Sequence, residues 1–165
     1  MRRVVISDAS PLHYLIIIGH ADVLASLYTE VLIPGAVAAE LQQTATPELV
    51  RAWMAHPPSW LQVVPLTEAL VPEVVADLDP GESAAILLAL RVKADLVIID
   101  EREGAEEARR LGLAVTGTIG VLDRAAERGL IDLESAFVKL GQTNFRIDPS
   151  LIEQLQVADR IRRNQ

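Results

Sequence analysis

The chain has 165 residues, 50% of them hydrophobic, a formal net charge of −8 and no cysteine. This length supports one domain with a substantial core, and the lack of cysteine excludes disulfides and thiolate metal sites. The negative charge argues against a protein that coats nucleic acid through Lys and Arg, although a bound metal would reverse the charge locally. We expect a single domain over residues 1–165, with a C-terminal helical tail from about residue 148.

The sequence predicts a soluble cytoplasmic protein. Met1-Arg2-Arg3 leads directly into a predicted strand, without the apolar leader of a secreted protein. The apolar stretch from Leu12 to Leu27 is interrupted by two histidines, a glycine and an aspartate. It therefore falls short of a membrane-spanning segment, and no membrane association is expected.

Short β-branched runs alternate with helical patterns along the chain. The predicted strands run from Arg3 to Ser7, Val31 to Ile33, Leu61 to Val64, Leu96 to Ile99 and Leu113 to Val115. Predicted helices occupy the intervals, and the prolines that suit their first turns are Pro11, Pro34, Pro80 and Pro149. Further helices are predicted over residues 47–55, 117–128, 133–140 and 148–163. This alternation predicts an α/β fold, a three-layer α/β/α sandwich with a five-stranded, mostly parallel sheet.

Two predicted strands end on an aspartate. The first strand runs into Asp8 and the fourth into Asp100. The carboxyl ends of parallel strands share the edge at which open α/β sheets bind ligands. Glu40 and Glu82 interrupt two other apolar stretches and can reach the same edge. Because four carboxylates in one crevice cannot all stay ionised without a cation, the pattern indicates a site for a divalent metal.

Each of these acids also has a purely structural interpretation. Asp8 fits a turn, where it would bind nearby backbone amides, and Asp100 fits the N-cap of the helix that follows it. Glu82 suits the first turn of a helix, and Glu40 suits the solvent side of one. Capping and metal binding are compatible, since a carboxylate has two oxygens.

Other polar residues are weaker candidates. Asp79 is predicted to cap the helix that begins at Pro80. Ser10 and Thr118 lie just past strand ends, where a hydroxyl can either cap a helix or orient a water molecule at a metal. His13 and His20 flank an apolar helix at non-adjacent helical positions, which indicates packing or capping rather than a ligand pair.

Five segments, in this order, carry a resemblance to a known family. They are Val5 to Leu12, Ile33-Pro34 leading to Glu40, Asp79 to Ile86, Leu96 to Arg102, and Val115 to Thr118. Together they resemble the PIN-domain ribonucleases, most closely the VapC-like toxin branch, over roughly residues 3–130.

The resemblance implies a site and an activity. Its four acidic positions correspond to Asp8, Glu40, Glu82 and Asp100, with Glu101 as an additional metal-ligand candidate. Such domains have a five-stranded parallel sheet and cleave RNA with Mg²⁺ or Mn²⁺. Many are toxins neutralised by a cognate antitoxin protein, and many form homodimers. The resemblance therefore implies a metal-dependent endoribonuclease of a toxin–antitoxin pair.

Two departures from the pattern keep alternatives open. Many PIN domains have aspartate where this chain has the longer Glu82, and Gly104 to Glu107 replaces an arginine that often follows the fourth acid. Basic groups for RNA would then come from Arg102, Arg109, Arg110 or a second subunit. One alternative is a non-catalytic PIN-like module that binds metal or a protein partner. Another is a phosphoacceptor receiver domain, although this chain lacks its acidic pair after the first strand and its lysine after the last.

Overall fold

The computed structural model describes residues 3–66 and 78–165. The chain forms two compact units, Met1–Thr118 and Ile119–Gln165. Met1 and Arg2, on which the expectation of no leader partly rests, lie outside the described residues. Within the described ranges, no helix combines the length and the apolar character needed to cross a membrane.

The first unit is an α/β fold around a parallel sheet. Its elements in chain order are β1 (Val5–Ser7), α1 (Ala9–Ile17), α2 (Val23–Tyr28), β2 (Val31–Pro34), α3 (Gly35–Glu40), α4 (Glu48–Ala55), β3 (Leu61–Val64), α5 (Pro80–Val92), β4 (Leu96–Ile98), α6 (Arg102–Arg110) and β5 (Val115–Thr116). The five strands have the order β3-β2-β1-β4-β5, and every neighbouring pair is parallel. The predicted α/β class and five-stranded sheet are confirmed.

The strand order also decides against the receiver-domain alternative. Receiver domains have the order 2-1-3-4-5, in which the third strand pairs with the first. Here β4 pairs with β1, while β3 lies at the far edge beside β2.

The core forms where α5 covers the middle of the sheet. Ile6 of β1 and Val97 of β4 are fully buried, and they pack with Ile86 and Leu88 of α5. Every residue of these two strands is buried, including Ser7 of β1, as expected for strands with covered faces. Since β1 and β4 are neighbours, the residues that follow them emerge side by side at one edge of the sheet.

Two local expectations about helix starts are wrong. Ser10 was expected to cap the first helix, but α1 begins at Ala9 and its N-cap position is Asp8. Pro34 was expected in the first turn of a helix; it is instead the last residue of β2 and the N-cap residue of α3. At the first strand, Asp8 is the single residue between the end of β1 and the start of α1. At the second strand, Pro34 itself both ends β2 and precedes α3.

The second unit is helical, with α7 (Thr118–Glu127), whose first residue still belongs to the first unit, α8 (Leu133–Gly141) and α9 (Pro149–Arg163). Asp132 accepts the backbone N–H of Ser135 at 3.0 Å and so caps α8. Asp148 caps α9 in the same way, by accepting the backbone N–H of Ser150 at 3.0 Å. The helical tail predicted from residue 148 is therefore α9, with its start where the sequence indicated.

Candidate active site

Asp8 is a buried carboxylate, and one of its oxygens has no hydrogen-bond partner among the described residues. It follows β1 directly and is only 4% exposed. Among the described residues, its Oδ1 is a buried side-chain atom with no hydrogen-bond partner. Burial raises the pKa of Asp8 to about 7, a hydrogen bond with Ala9 lowers it, and the charges of Asp79, Glu40 and Asp100 raise it further. A buried acceptor left unpaired is costly, so this oxygen needs a proton or a cation nearby.

Glu40 is the last residue of α3 and is only partly exposed to solvent. The residue is half-buried, and the Thr46 hydroxyl donates to its backbone carbonyl at 3.0 Å. Burial raises the pKa of its carboxyl group, and the charge of Asp79 adds to the effect. The interpretation of Glu40 as a solvent-side residue therefore holds only for part of its surface.

Glu82 is the third residue of α5 and is 5% exposed. Burial raises the pKa of Glu82 to about 8; a side-chain hydrogen bond with Asp79 and the charges of Asp79, Asp8 and Glu101 contribute in the same direction. Asp79 caps α5 as predicted, because its Oδ1 accepts the backbone N–H of Glu82 at 2.8 Å. The first turn of α5 thus brings two carboxyl groups together.

Asp100 is held by three hydrogen bonds. Its Oδ2 accepts from the hydroxyls of Ser10 at 2.8 Å and Thr118 at 2.7 Å, and its Oδ1 accepts the backbone N–H of Thr118 at 2.7 Å. The expectation that Asp100 caps the next helix is wrong: α6 begins at Arg102, and Glu101 occupies its N-cap position without a side-chain cap. The donors from α1 and from residue 118 engage both carboxylate oxygens, so Asp100 is fixed across the sheet edge.

A glycine marks the point where three carboxylates approach each other. A Cβ atom at Gly81 would lie 3.1 Å from Glu40 Oε2, 3.4 Å from Asp8 Oδ1 and 3.5 Å from Asp79 Oδ1. From the sequence, Asp79 was expected only to cap α5 and was not among the expected site residues. The signal available in the sequence was the pair of acids, Asp79 and Glu82, on either side of that glycine.

Glycines also lie against the two remaining acids. A Cβ atom at Gly104 would lie 3.0 Å from Glu82 Oε2, and one at Gly117 would lie 2.8 Å from Asp100 Oδ1. Larger residues at these positions would push the carboxylates away. The site is therefore bordered by backbone on the sides of α6 and β5.

Among the described residues, these acidic side chains lie near one another but do not form a preformed metal-binding site. The charge interactions above join Asp8 to Glu40, Asp79, Glu82 and Asp100, whereas Glu101 is exposed at the margin. In the part of the chain that the structure describes, no group of three or more Asp, Glu or His side chains is already arranged around a metal position. Oxygen donors of this kind suit hard cations such as Mg²⁺, and the unpartnered Asp8 Oδ1 leaves one donor ready.

Comparison with known proteins identifies the family. A family model described as "DUF3368: PIN domain" matches residues 4–159. The chain belongs to the PIN-domain family. PIN domains are commonly nucleases, so the acids lie in a fold that generally supports nuclease activity.

Two further comparisons concern individual proteins. Among curated proteins, none is significantly similar to this PIN domain. Among solved structures, a PilT N-terminus domain protein from the hyperthermophilic archaeon Sulfolobus solfataricus P2 is similar, with 15% identity, a TM-score of 0.49, and coverage of 88% of this chain and 98% of that chain.

The raised pKa values predict how the stability of the metal-free protein depends on pH. The pKa of Asp8 is about 7 and that of Glu82 about 8, whereas both lie near 4 in an unfolded chain. The folded state therefore binds protons that the unfolded state releases. Their contribution to the free energy of unfolding is complete below about pH 4 and is lost as the pH rises through 7 to 8.

Urea unfolding in EDTA, repeated between pH 5 and 9, measures this effect. Asp8→Asn and Glu82→Gln should each flatten the decline, while Asp22→Asn, at an exposed aspartate, should leave it unchanged. Parallel pH curves for the wild-type protein and both site variants would contradict the assignment.

A second prediction concerns the support of Asp100. Thr118→Val keeps the shape of a fully buried side chain and the backbone N–H bond but removes the hydroxyl donor. Loss of a hydrogen bond to a carboxylate should lower the free energy of unfolding by about 1.5 to 3 kcal/mol. Because Ser10 donates to the same oxygen, the double variant with Ser10→Ala should be non-additive.

Urea denaturation measures all three proteins against Thr44→Val, which lies at an exposed position. A Thr118→Val protein as stable as this control would show that the hydroxyl contributes nothing to holding Asp100.

Proposed function

We propose that this PIN domain is a metal-dependent endoribonuclease that hydrolyses RNA phosphodiester bonds, acting in the cytoplasm as the toxin of a toxin–antitoxin pair. The observation that carries the proposal is Asp8 Oδ1, a buried carboxylate oxygen with no hydrogen-bond partner among the described residues. It lies among other carboxylates at the strand ends, where α/β folds bind their ligands.

The residues fit a Mg²⁺ or Mn²⁺ ion by their chemistry. Asp8, Glu40, Glu82 and Asp100 would hold it, with Glu101 at the margin. A positive charge in this position would favour the ionised carboxylates and so offset the upward pKa shifts of Asp8 and Glu82. Such an ion supplies charge neutralisation at a phosphodiester and makes water more acidic.

The chain itself contributes positioning. Asp100 is fixed by Ser10 and Thr118 before any ligand arrives, so its orientation costs nothing further on binding. Asp8 is buried at the base of the site, and Glu40 and Glu82 approach from the ends of two helices. These four acids come from different parts of the chain and would hold the metal ion from different directions.

Recognition of RNA is assigned to arginines of α6. Arg102 pairs with Glu106, and Arg110 pairs with Glu107, in ion pairs on the surface of α6. Such exposed ion pairs contribute little to the free energy of unfolding and are easily exchanged, so both arginines remain available to phosphate groups. We propose that they act on RNA together with basic groups of a second copy in a homodimer. A cognate antitoxin protein is proposed from the resemblance to VapC-like toxins.

A second candidate function is a PIN-like module that binds metal or a protein partner without cleaving RNA. It is favoured by the net charge of −8 and by the acidic Glu106 and Glu107 where the related branch carries an arginine. Both observations weaken the attraction for a polyanion. They leave the metal site unaffected, so a metal-binding module and a ribonuclease differ only at the step of RNA cleavage.

The test is Asp8→Asn, which removes one charge and keeps the side-chain shape. Cleavage of single-stranded and structured RNA in Mn²⁺ should fall below about one hundredth of the wild-type rate, because even supporting residues of metal sites cost 10- to 100-fold. The variant should unfold at a urea concentration at least equal to that of the wild type at pH 8, since burial disfavours the ionised Asp8. Asp22→Asn is the matched control.

Calorimetric titration with Mn²⁺ separates the two candidates. Metal binding with RNA cleavage that requires Asp8 supports the ribonuclease. Metal binding without cleavage of either RNA supports the interaction module. Cleavage at the wild-type rate by Asp8→Asn would refute the assignment of the site.

A further inference from the structure

Three carboxylate oxygens surround the space beside Gly81. The Cβ position of this residue is 3.1 Å from Glu40 Oε2, 3.4 Å from Asp8 Oδ1 and 3.5 Å from Asp79 Oδ1. Apart from the chain next to it, no described heavy atom comes nearer to that point than Glu40 Oε2. The missing side chain of Gly81 therefore leaves a small space lined by oxygens from three separate segments.

Two of these oxygens belong to residues that the sequence had already pointed to, and the third does not. Asp79 was expected only to cap α5, which it does with Oδ1 on the backbone N–H of Glu82. A carboxylate oxygen has two lone pairs, and its second oxygen is additional, so capping leaves capacity for a cation.

We infer that Asp79 is a metal-binding residue of this PIN domain, which joins Asp8 and Glu40 around the space left by Gly81. The inference rests on the proposed function, whose metal site it makes more specific. It assigns a role to the Asp79-Pro80-Gly81 segment: the aspartate supplies a ligand, the proline starts the helix, and the glycine keeps the space open.

An independent observation points to a ligand in this space. Asp8 Oδ1, one of the three oxygens, is buried and lacks a hydrogen-bond partner in residues 3–66 and 78–165. A group of acids exposed to solvent would not by itself indicate a ligand. A buried, unpaired carboxylate oxygen close to two further carboxylates is stabilised by a proton or by a cation, and a cation is the partner that all three oxygens can share.

The same geometry explains why glycine stands at position 81. Gly81 is the second residue of α5, where alanine would favour the helix by about 1 kcal/mol. Its backbone needs no left-handed conformation, since the glycines with positive φ are Gly19, Gly112 and Gly129. An alanine Cβ would instead press on Glu40 and occupy the space between the carboxylates.

The first test is Mn²⁺ titration of Asp79→Asn by calorimetry. Asparagine caps helices as well as aspartate does, so the fold of α5 is retained while the charged ligand is lost. The Mn²⁺ affinity should fall by about 10-fold or more. Asp148→Asn is the matched control, because Asp148 also caps a helix that begins with proline; its affinity should equal that of the wild type.

Salt distinguishes ligation from a general effect of charge. Asp79 is exposed, so a through-space attraction between it and the ion would be screened at high ionic strength, where the Debye length is about 3 Å at 1 M. The affinity ratio between wild type and Asp79→Asn should therefore persist in 1 M KCl. A ratio that falls to one would overturn the inference.

The second test fills the space. Gly81→Ala should leave the melting temperature of the metal-free protein unchanged or raised, and should lower the Mn²⁺ affinity by about 10-fold. Gly35→Ala is its control, because a Cβ at Gly35, in the first turn of α3, meets nothing within 4 Å. Wild-type Mn²⁺ affinity in Gly81→Ala would also overturn the inference.

These outcomes separate this inference from the proposed function. If the wild-type protein binds no Mn²⁺, the proposed function fails and the inference fails with it. If wild type binds Mn²⁺ and Asp8→Asn does not, while Asp79→Asn binds as tightly as Asp148→Asn, only the role of Asp79 is refuted.

Discussion

Repulsion between buried carboxylates is the constraint on which the site depends. Asp8 is almost completely buried, and the nearest charges that act on it are negative, from Asp79, Glu40 and Asp100. Burial and like charges both disfavour ionisation, so this arrangement is stable with protons or with a cation and strained with neither. Without a cation, ionisation of these carboxylates at neutral pH and above therefore lowers the stability of the folded protein.

The fold imposes this arrangement through its most rigid parts. Asp8 and Asp100 follow β1 and β4, two neighbouring strands in the buried centre of the sheet, so they cannot separate without disrupting the core. Helix α5 contacts both strands and α3, and its N-terminus carries Asp79 and Glu82. The partial positive charge of a helix N-terminus favours acids there. Hydrogen bonds from Ser10 and Thr118 orient Asp100.

The distribution of charge along the chain bears on how RNA would approach. Residues 119–165 contain seven basic and seven acidic side chains, so residues 1–118 carry the whole net charge of −8. The unit with the acidic site is therefore the one that repels a polyanion. Cation binding at the site would reduce this repulsion where the phosphodiester must come closest. A nuclease and an interaction module would share this electrostatic starting point and differ in the basic groups that reach the site.

The sequence by itself determined the strands, the helices, the parallel sheet and the positions of Asp8 and Asp100 at strand ends, because these follow from short-range hydrophobic periodicity. It did not determine where the polar side chains point. Ser10 and Thr118 donate to Asp100 instead of capping their own helices, and Asp79 approaches Asp8 and Glu40 across the space at Gly81. Only the tertiary structure decided these contacts, since they join residues far apart in the chain whose distance depends on how α1, α3 and α5 pack over the sheet.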